Sequence, residues 1–296
     1  MPAAHPLPPP VPAIRRDITG RAGRIALHVA GEGPPMLLVH SINAAASAYE
    51  VRPIFERMSA THRVYAPDLP GFGASERGDR RYDAALYGAA IDDVLDAIAA
   101  ECGDASVDLL ALSLASEFAA RAAVRRPARV RTLAMVTPTG LDRRSSTLRG
   151  PPGSDREFRG VHAAVSVPLW SQGLFDLLVS RRSVRYFLQR TWGAKAIDEG
   201  LFEYSWLTAH QPGARFAPLA FLSGRLFSRD IRDVYERLDL RVWVPHGTRG
   251  DFRDFSGADW TRSRPNWSMQ PFDSGALPHF EHPESFVAAY RRFLAG

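Results

Sequence analysis

Four short apolar runs, each entered and left through turn-forming residues, set the terms for any fold of this chain. They are MLLVHS at 36–41, RVYAP at 63–67, VDLLAL at 107–112 and VRTLAMV at 130–136. Runs of this length suit strands better than core helices, and apolar side chains at both odd and even positions imply a strand covered on both faces. Between them, residues 50–58, 82–101 and ASEFAARAAVRR from Ala115 carry apolar residues at helical spacing. Buried strands alternating with helices predict a mostly parallel α/β sheet. RIALHVAG at 24–31 alternates as a strand and turns through GEGPP into the first run. RVWVPH at 241–246 and NWSMQPF at 266–272 extend the sheet, and PESFVAAYRRFL closes it with an amphipathic helix.

The alternation stops near Gly140 and resumes near Leu240. Residues 141–238, arginine-rich and aromatic, read as a helical cap inserted into a core made of 17–140 and 239–296. Residues 1–16 contain PLPPPVP and no apolar signal-peptide run, and they read as a disordered proline-rich tail. With 296 residues, 45% of them hydrophobic, one large core plus a smaller unit is affordable. Cys102 is the only cysteine, which excludes disulfides and fits a reducing cytoplasm. The net charge of +5 is carried almost wholly by arginine, Lys195 being the only lysine. These arginines are scattered in pairs without aromatic interleaving, so nucleic acid is not an expected partner.

ALSLAS at 111–116 lies between a buried strand and a helix. A nucleophile elbow requires a strand, a tight turn with serine at its tip, and small residues two positions to either side. Ala111 and Ala115 occupy the positions where glycine is usual, so the turn is feasible and more crowded. In isolation the motif reads equally as a plain turn with Ser113 or Ser116 as a helix N-cap.

The surroundings favour the elbow. LLVHSINAA at 37–45, YAPDLPGFGASE at 65–76 and the elbow together resemble the α/β-hydrolase superfamily, over roughly 18–140 and 240–294. The resemblance implies an α/β-hydrolase fold and a serine hydrolase, esterase- or lipase-like, with Ser113 as nucleophile. It places the oxyanion hole at the backbone of Ile42 or Asn43 and of Leu114, and gives His40 a structural role. Ser41 departs from the family pattern, standing where glycine is usual.

The family order of nucleophile, acid, base puts the acid in HGTRGDFRDF, where Asp251 is the first choice and Asp254 the second. The base should fall in SGALPHFEHPESF, yet the alignment sets Ala276 on its position. A methyl group accepts no proton, and a serine hydroxyl without a base is a poor nucleophile at neutral pH. Three readings stay open. His279 or His282 substitutes as base; the alanine inactivates an otherwise intact hydrolase; or the chain does something other than hydrolysis, which the departures at Ser41, Ala111 and Ala115 favour. Residual catalysis of roughly 10³–10⁴-fold over water is compatible with a missing triad member.

In the cap, Trp170, Phe175 and Trp206 are the expected roof of a pocket for a small or lipidic, mostly apolar ester. Arg181, Arg182 and Arg185 beside Trp and Leu also suggest peripheral membrane docking. No metal or cofactor is implied, since the histidines are dispersed and no phosphate-cradling or dinucleotide motif occurs in strand–helix context. A catalytically silent protein holding an apolar ligand under the cap is the alternative function.

Overall fold

A computed structural model describes residues 6–158 and 160–296. Eight strands form one sheet: β1 (Ile14–Gly20), β2 (Gly23–Ala30), β3 (Pro35–Val39), β4 (Arg63–Pro67), β5 (Val107–Leu112), β6 (Val130–Val136), β7 (Arg241–Gly247) and β8 (Trp267–Phe272). Their order is β1-β2-β4-β3-β5-β6-β7-β8. The two pairings β1–β2 and β2–β4 are antiparallel and the rest parallel.

The period-two geometry of strands explains the unbroken apolar runs. Leu37 and Val39, Leu109 and Ala111, Leu133 and Met135, and Val242 and Val244 face one side, where they meet α2 (Ala84–Cys102) and α3 (Ala115–Arg125). Met36 and Leu38, Leu110 and Leu112, Ala134 and Val136, and Trp243 face the other. There Ile54 and Phe55 of α1 (Arg52–Met58) and Phe286 and Tyr290 of α12 (Pro283–Ala295) cover them. A sheet buried on both faces leaves its loops at the carboxyl ends of the strands as the place for a site.

Seven helices lie between β6 and β7: α4 (Arg143–Thr147), α5 (Val161–Val165), α6 (Ser171–Leu178), α7 (Arg181–Trp192), α8 (Glu199–Ala209), α9 (Phe216–Leu222) and α10 (Ile231–Glu236). Phe175, Val179, Val184 and Phe202 give this insertion a small core of its own, against which Ala44 and Ala45 of the β3–α1 loop pack. One more short helix, α11 (Pro278–Glu281), precedes α12. No helix among the described residues is long and apolar enough to cross a membrane.

One expectation is corrected here. Of the proline-rich segment, residues 1–5 lie outside the described residues, and residues 10 and 11 are buried rather than disordered: Val11 is 1% exposed and joins the core on the α1/α12 side. The Pro8 carbonyl accepts a hydrogen bond from Tyr204 Oη (2.9 Å), and β1 begins at Ile14. Of the three arginines behind the docking idea, Arg181 pairs with Glu203 and Arg185 with Glu199, while Arg182 is exposed.

Candidate active site

Strand β5 ends at Leu112 and α3 starts at Ala115, so two residues turn the chain from strand to helix. Ser113 makes the turn with φ 50°, in the left-handed region that residues with a Cβ seldom occupy. Its amide donates to the Val136 carbonyl (2.9 Å) and its carbonyl accepts from the Ser116 amide (3.1 Å), so strand and helix hold the strained conformation. Ala111 and Ala115, both fully buried, fill the small-residue positions. No side chain caps α3; Ser116 Oγ donates instead to the Ala111 carbonyl (3.2 Å). Among the described residues the Ser113 hydroxyl has no hydrogen-bond partner and opens on a cavity.

The β3–α1 loop forms the facing wall. His40 Nε2 accepts from the Leu69 amide (2.9 Å), so the ring proton sits on Nδ1, directed at the Ser41 carbonyl (2.6 Å). Burial lowers the pKa of His40, and this neutral ring fastens one loop to the next. The Ser41 amide donates to Glu50 Oε2 (2.8 Å), and Asn43 Nδ2 donates to Glu50 Oε1 (2.8 Å) and to Ser41 Oγ (2.9 Å). Asn43 Oδ1 accepts from the Ala45 amide (2.7 Å). Among the described residues, the amides of Ile42, Asn43 and Leu114 donate to no group. The Leu114 amide lies at the N-terminal end of α3, where the helix dipole favours negative charge.

The cavity measures about 160 Å³ and is mostly apolar. Leu188, Leu201, Phe221, Phe227 and Phe252 close it from the insertion and the loop after β7, while Ser113, Glu50, Thr137 and Ala276 stand on its wall. Thr137 also has a positive φ, 47°, and its hydroxyl donates to the Ala276 carbonyl (2.8 Å). The Ala276 amide donates to the Thr191 carbonyl (2.9 Å), which fastens the β8–α11 loop to the end of α7.

The model of the alpha/beta hydrolase family matches residues 36–289. The chain belongs to that family. A 2-hydroxymuconate semialdehyde hydrolase of Pseudomonas putida is 37% identical over 131 residues, 44% of this chain and 45% of that protein. The chain thus matches just under half the length of that relative. A pimeloyl-[acyl-carrier protein] methyl ester esterase of Aliivibrio salmonicida is 23% identical across 89% of this chain and 93% of its own. A serine hydrolase involved in carbazole degradation superposes with a TM-score of 0.76 at 17% identity, covering 96% of this chain and 99% of the other. At that identity the likeness speaks for the fold.

Within this hydrolase fold, Ser113, Ile42, Asn43, Leu114 and Ala276 come together around one cavity. Ser41 also lines it, whereas the candidate acids, bases and cap aromatics singled out in the sequence lie apart from the lining. His279, fully buried in α11, donates from Nε2 to the Glu50 carbonyl (2.8 Å), and burial lowers its pKa to about 4. His282 is exposed, its Nε2 directed at the Asp273 carbonyl (3.0 Å). Neither imidazole lines the cavity, so neither is placed to take a proton from Ser113. Asp251 is exposed in a bidentate ion pair with Arg190, and Asp254 accepts from Ser256 Oγ (2.6 Å). Without an imidazole on the wall, neither aspartate has a base to orient.

The pocket aromatics are also corrected. Trp170 is half exposed with its Nε1 on the Ala164 carbonyl (2.9 Å), and Phe175 is buried in the insertion's own core. Trp206 packs on His210 at 4.4 Å between ring centres. Phe221, Phe227 and Phe252 take the places expected of them. Glu50 was read only as a helix start. The one signal for it in the sequence is an acidic residue in the apolar setting SAYEV, nine positions after Ser41.

Proposed function

We propose that the chain hydrolyses small, neutral, mostly apolar esters slowly, through Ser113 as nucleophile with the Leu114 amide and the Ile42 or Asn43 amide as oxyanion hole. The observation that carries this reading is a serine at φ 50° whose unpartnered hydroxyl shares a cavity with uncommitted amides. Backbone strain of this kind costs about 1–3 kcal/mol and collects at functional sites. Amides aimed at the position of a developing oxyanion supply much of the catalysis in acyl transfer. Among the described residues no arginine or lysine lines the cavity, and Glu50 puts an acidic side chain on its wall, which favours neutral esters over carboxylate-bearing ones. The small volume suits short acyl groups. The hydrolase and esterase names of the relatives agree with this reaction class.

A second reading, a silent ligand-binding member, has one observation in its favour: among the described residues no histidine lines the cavity. Labelling by a fluorophosphonate probe separates the two. Under the hydrolase reading the wild type is labelled and turns over p-nitrophenyl acetate, and Ser113→Ala abolishes both. An unlabelled wild-type protein removes the hydrolase reading.

A further inference from the structure

Building on Ser113 as nucleophile, we infer that Glu50 is the proton acceptor of this site, standing in for the absent imidazole. Glu50 is 5% exposed, and among the described residues it is the one acidic or basic side chain lining the cavity. Among the described residues its carboxylate is held by neutral donors, and the nearby His40 is kept neutral by burial. Its position is preset from both ends. The carboxylate oxygens accept from the Ser41 amide and Asn43 Nδ2 at 2.8 Å each, and the main-chain carbonyl accepts from His279. Each oxygen keeps acceptor capacity beyond those bonds.

Glu50 and Ser113 line the same cavity without a direct hydrogen bond, so the inferred relay runs through one water, which general base catalysis tolerates. Ser113 Oγ attacks the ester carbonyl carbon while its proton passes through that water to Glu50. The carbonyl π pair moves onto oxygen, facing the oxyanion-hole amides. Collapse breaks the bond to the alcohol, which leaves with the proton from Glu50. A second water then adds to the acyl-Ser113 carbonyl, giving a proton to Glu50. Collapse breaks the Ser113 Oγ–carbon bond, and the proton returns to Ser113. The net change is ester plus water to acid plus alcohol, with Glu50 ionised again.

The rival explanation is that Glu50 only fastens the Ser41–Asn43 loop. Deacylation by two nucleophiles distinguishes them, since hydroxylamine attacks without a base whereas water does not. With p-nitrophenyl acetate, Glu50→Gln is expected to lower turnover about 10²–10⁴-fold. Both half-reactions should slow, and on pre-formed acyl-Ser113 hydroxylamine should restore most of the lost deacylation rate. Equal slowing of acyl-Ser113 breakdown by water and by hydroxylamine, or a Glu50→Gln rate matching wild type, overturns the assignment. If Glu50→Gln does not fold, Glu50→Asp keeps the carboxylate one methylene short; an intermediate loss relieved by hydroxylamine supports the role, and a loss unrelieved by it refutes the role. A wild-type protein that hydrolyses the ester while Ser113→Ala does so equally well instead overturns the reading of Ser113.

Discussion

Ser113→Gly should make the protein more stable than Ser113→Ala while both variants are inactive. The left-handed backbone at φ 50° costs a residue with a Cβ roughly 1–2 kcal/mol. Glycine removes that cost and loses more conformational freedom on folding, about 0.5–1 kcal/mol relative to alanine. The balance favours glycine by about 0.5–1 kcal/mol. Losing the hydroxyl adds little in either variant, because it bonds to no group among the described residues. For a chain of this size such a difference corresponds to roughly 1–3 °C in melting temperature. Paired thermal melts of the two variants, with urea titrations to check the ordering, measure it. Ser113→Gly melting at or below Ser113→Ala would refute the account of a strained elbow held by Val136 and Ser116.

Three further outcomes follow from the same geometry. Ala276→His places an imidazole on the cavity wall, and ester hydrolysis should rise about 10²–10⁴-fold, measured as kcat with p-nitrophenyl acetate; an unchanged rate means the site departs from hydrolysis beyond this one side chain. Wild-type kcat/KM should fall with acyl chains too long for the cavity, whereas Phe227→Ala should gain about fourfold per added methylene, taking ~0.8 kcal/mol for each buried CH₂; an identical chain-length profile contradicts the assignment of Phe227 to the wall. His279 has a folded pKa of about 4, below its ordinary 6.5, so its contribution is fully present above pH 6.5 and is lost as the pH falls from 6.5 toward 4, on the order of 3 kcal/mol at most. Urea midpoints between pH 7 and 4.5 should decline more steeply for wild type than for His279→Gln, and parallel slopes would disprove the role of that ring.

Much of the fold is local information. Residues 107–112 and 130–136 carry apolar side chains toward both sides of the strand, and only a doubly covered strand buries these. The elbow is legible for a similar reason: strand, turn and helix follow one another within residues 107–125, and small residues flank the serine. Strand β1 escaped notice because IRRDITG is almost wholly exposed, and its strand character comes from pairing with β2 across the turn between Gly20 and Gly23. The tail was likewise misread, since the partners of Pro8 and Val11 lie on α8 and on the α1/α12 side of the sheet.

The surroundings of the serine could not be read in this way. Trp170 and Phe227 are equally aromatic on paper, and the packing of the insertion leaves one half exposed and the other on the cavity wall. His279 resembled a spare base until its ring was found bonded to the Glu50 carbonyl, and Glu50 resembled an ordinary helix start until Ser41 and Asn43 closed on it. By itself the sequence determined a doubly covered sheet and a serine at a tight turn, because those follow from spacing along the chain. Which acid and which aromatics share a cavity with that serine was decided only by the tertiary structure, because side chains tens of residues or more apart in the chain meet according to how whole elements pack.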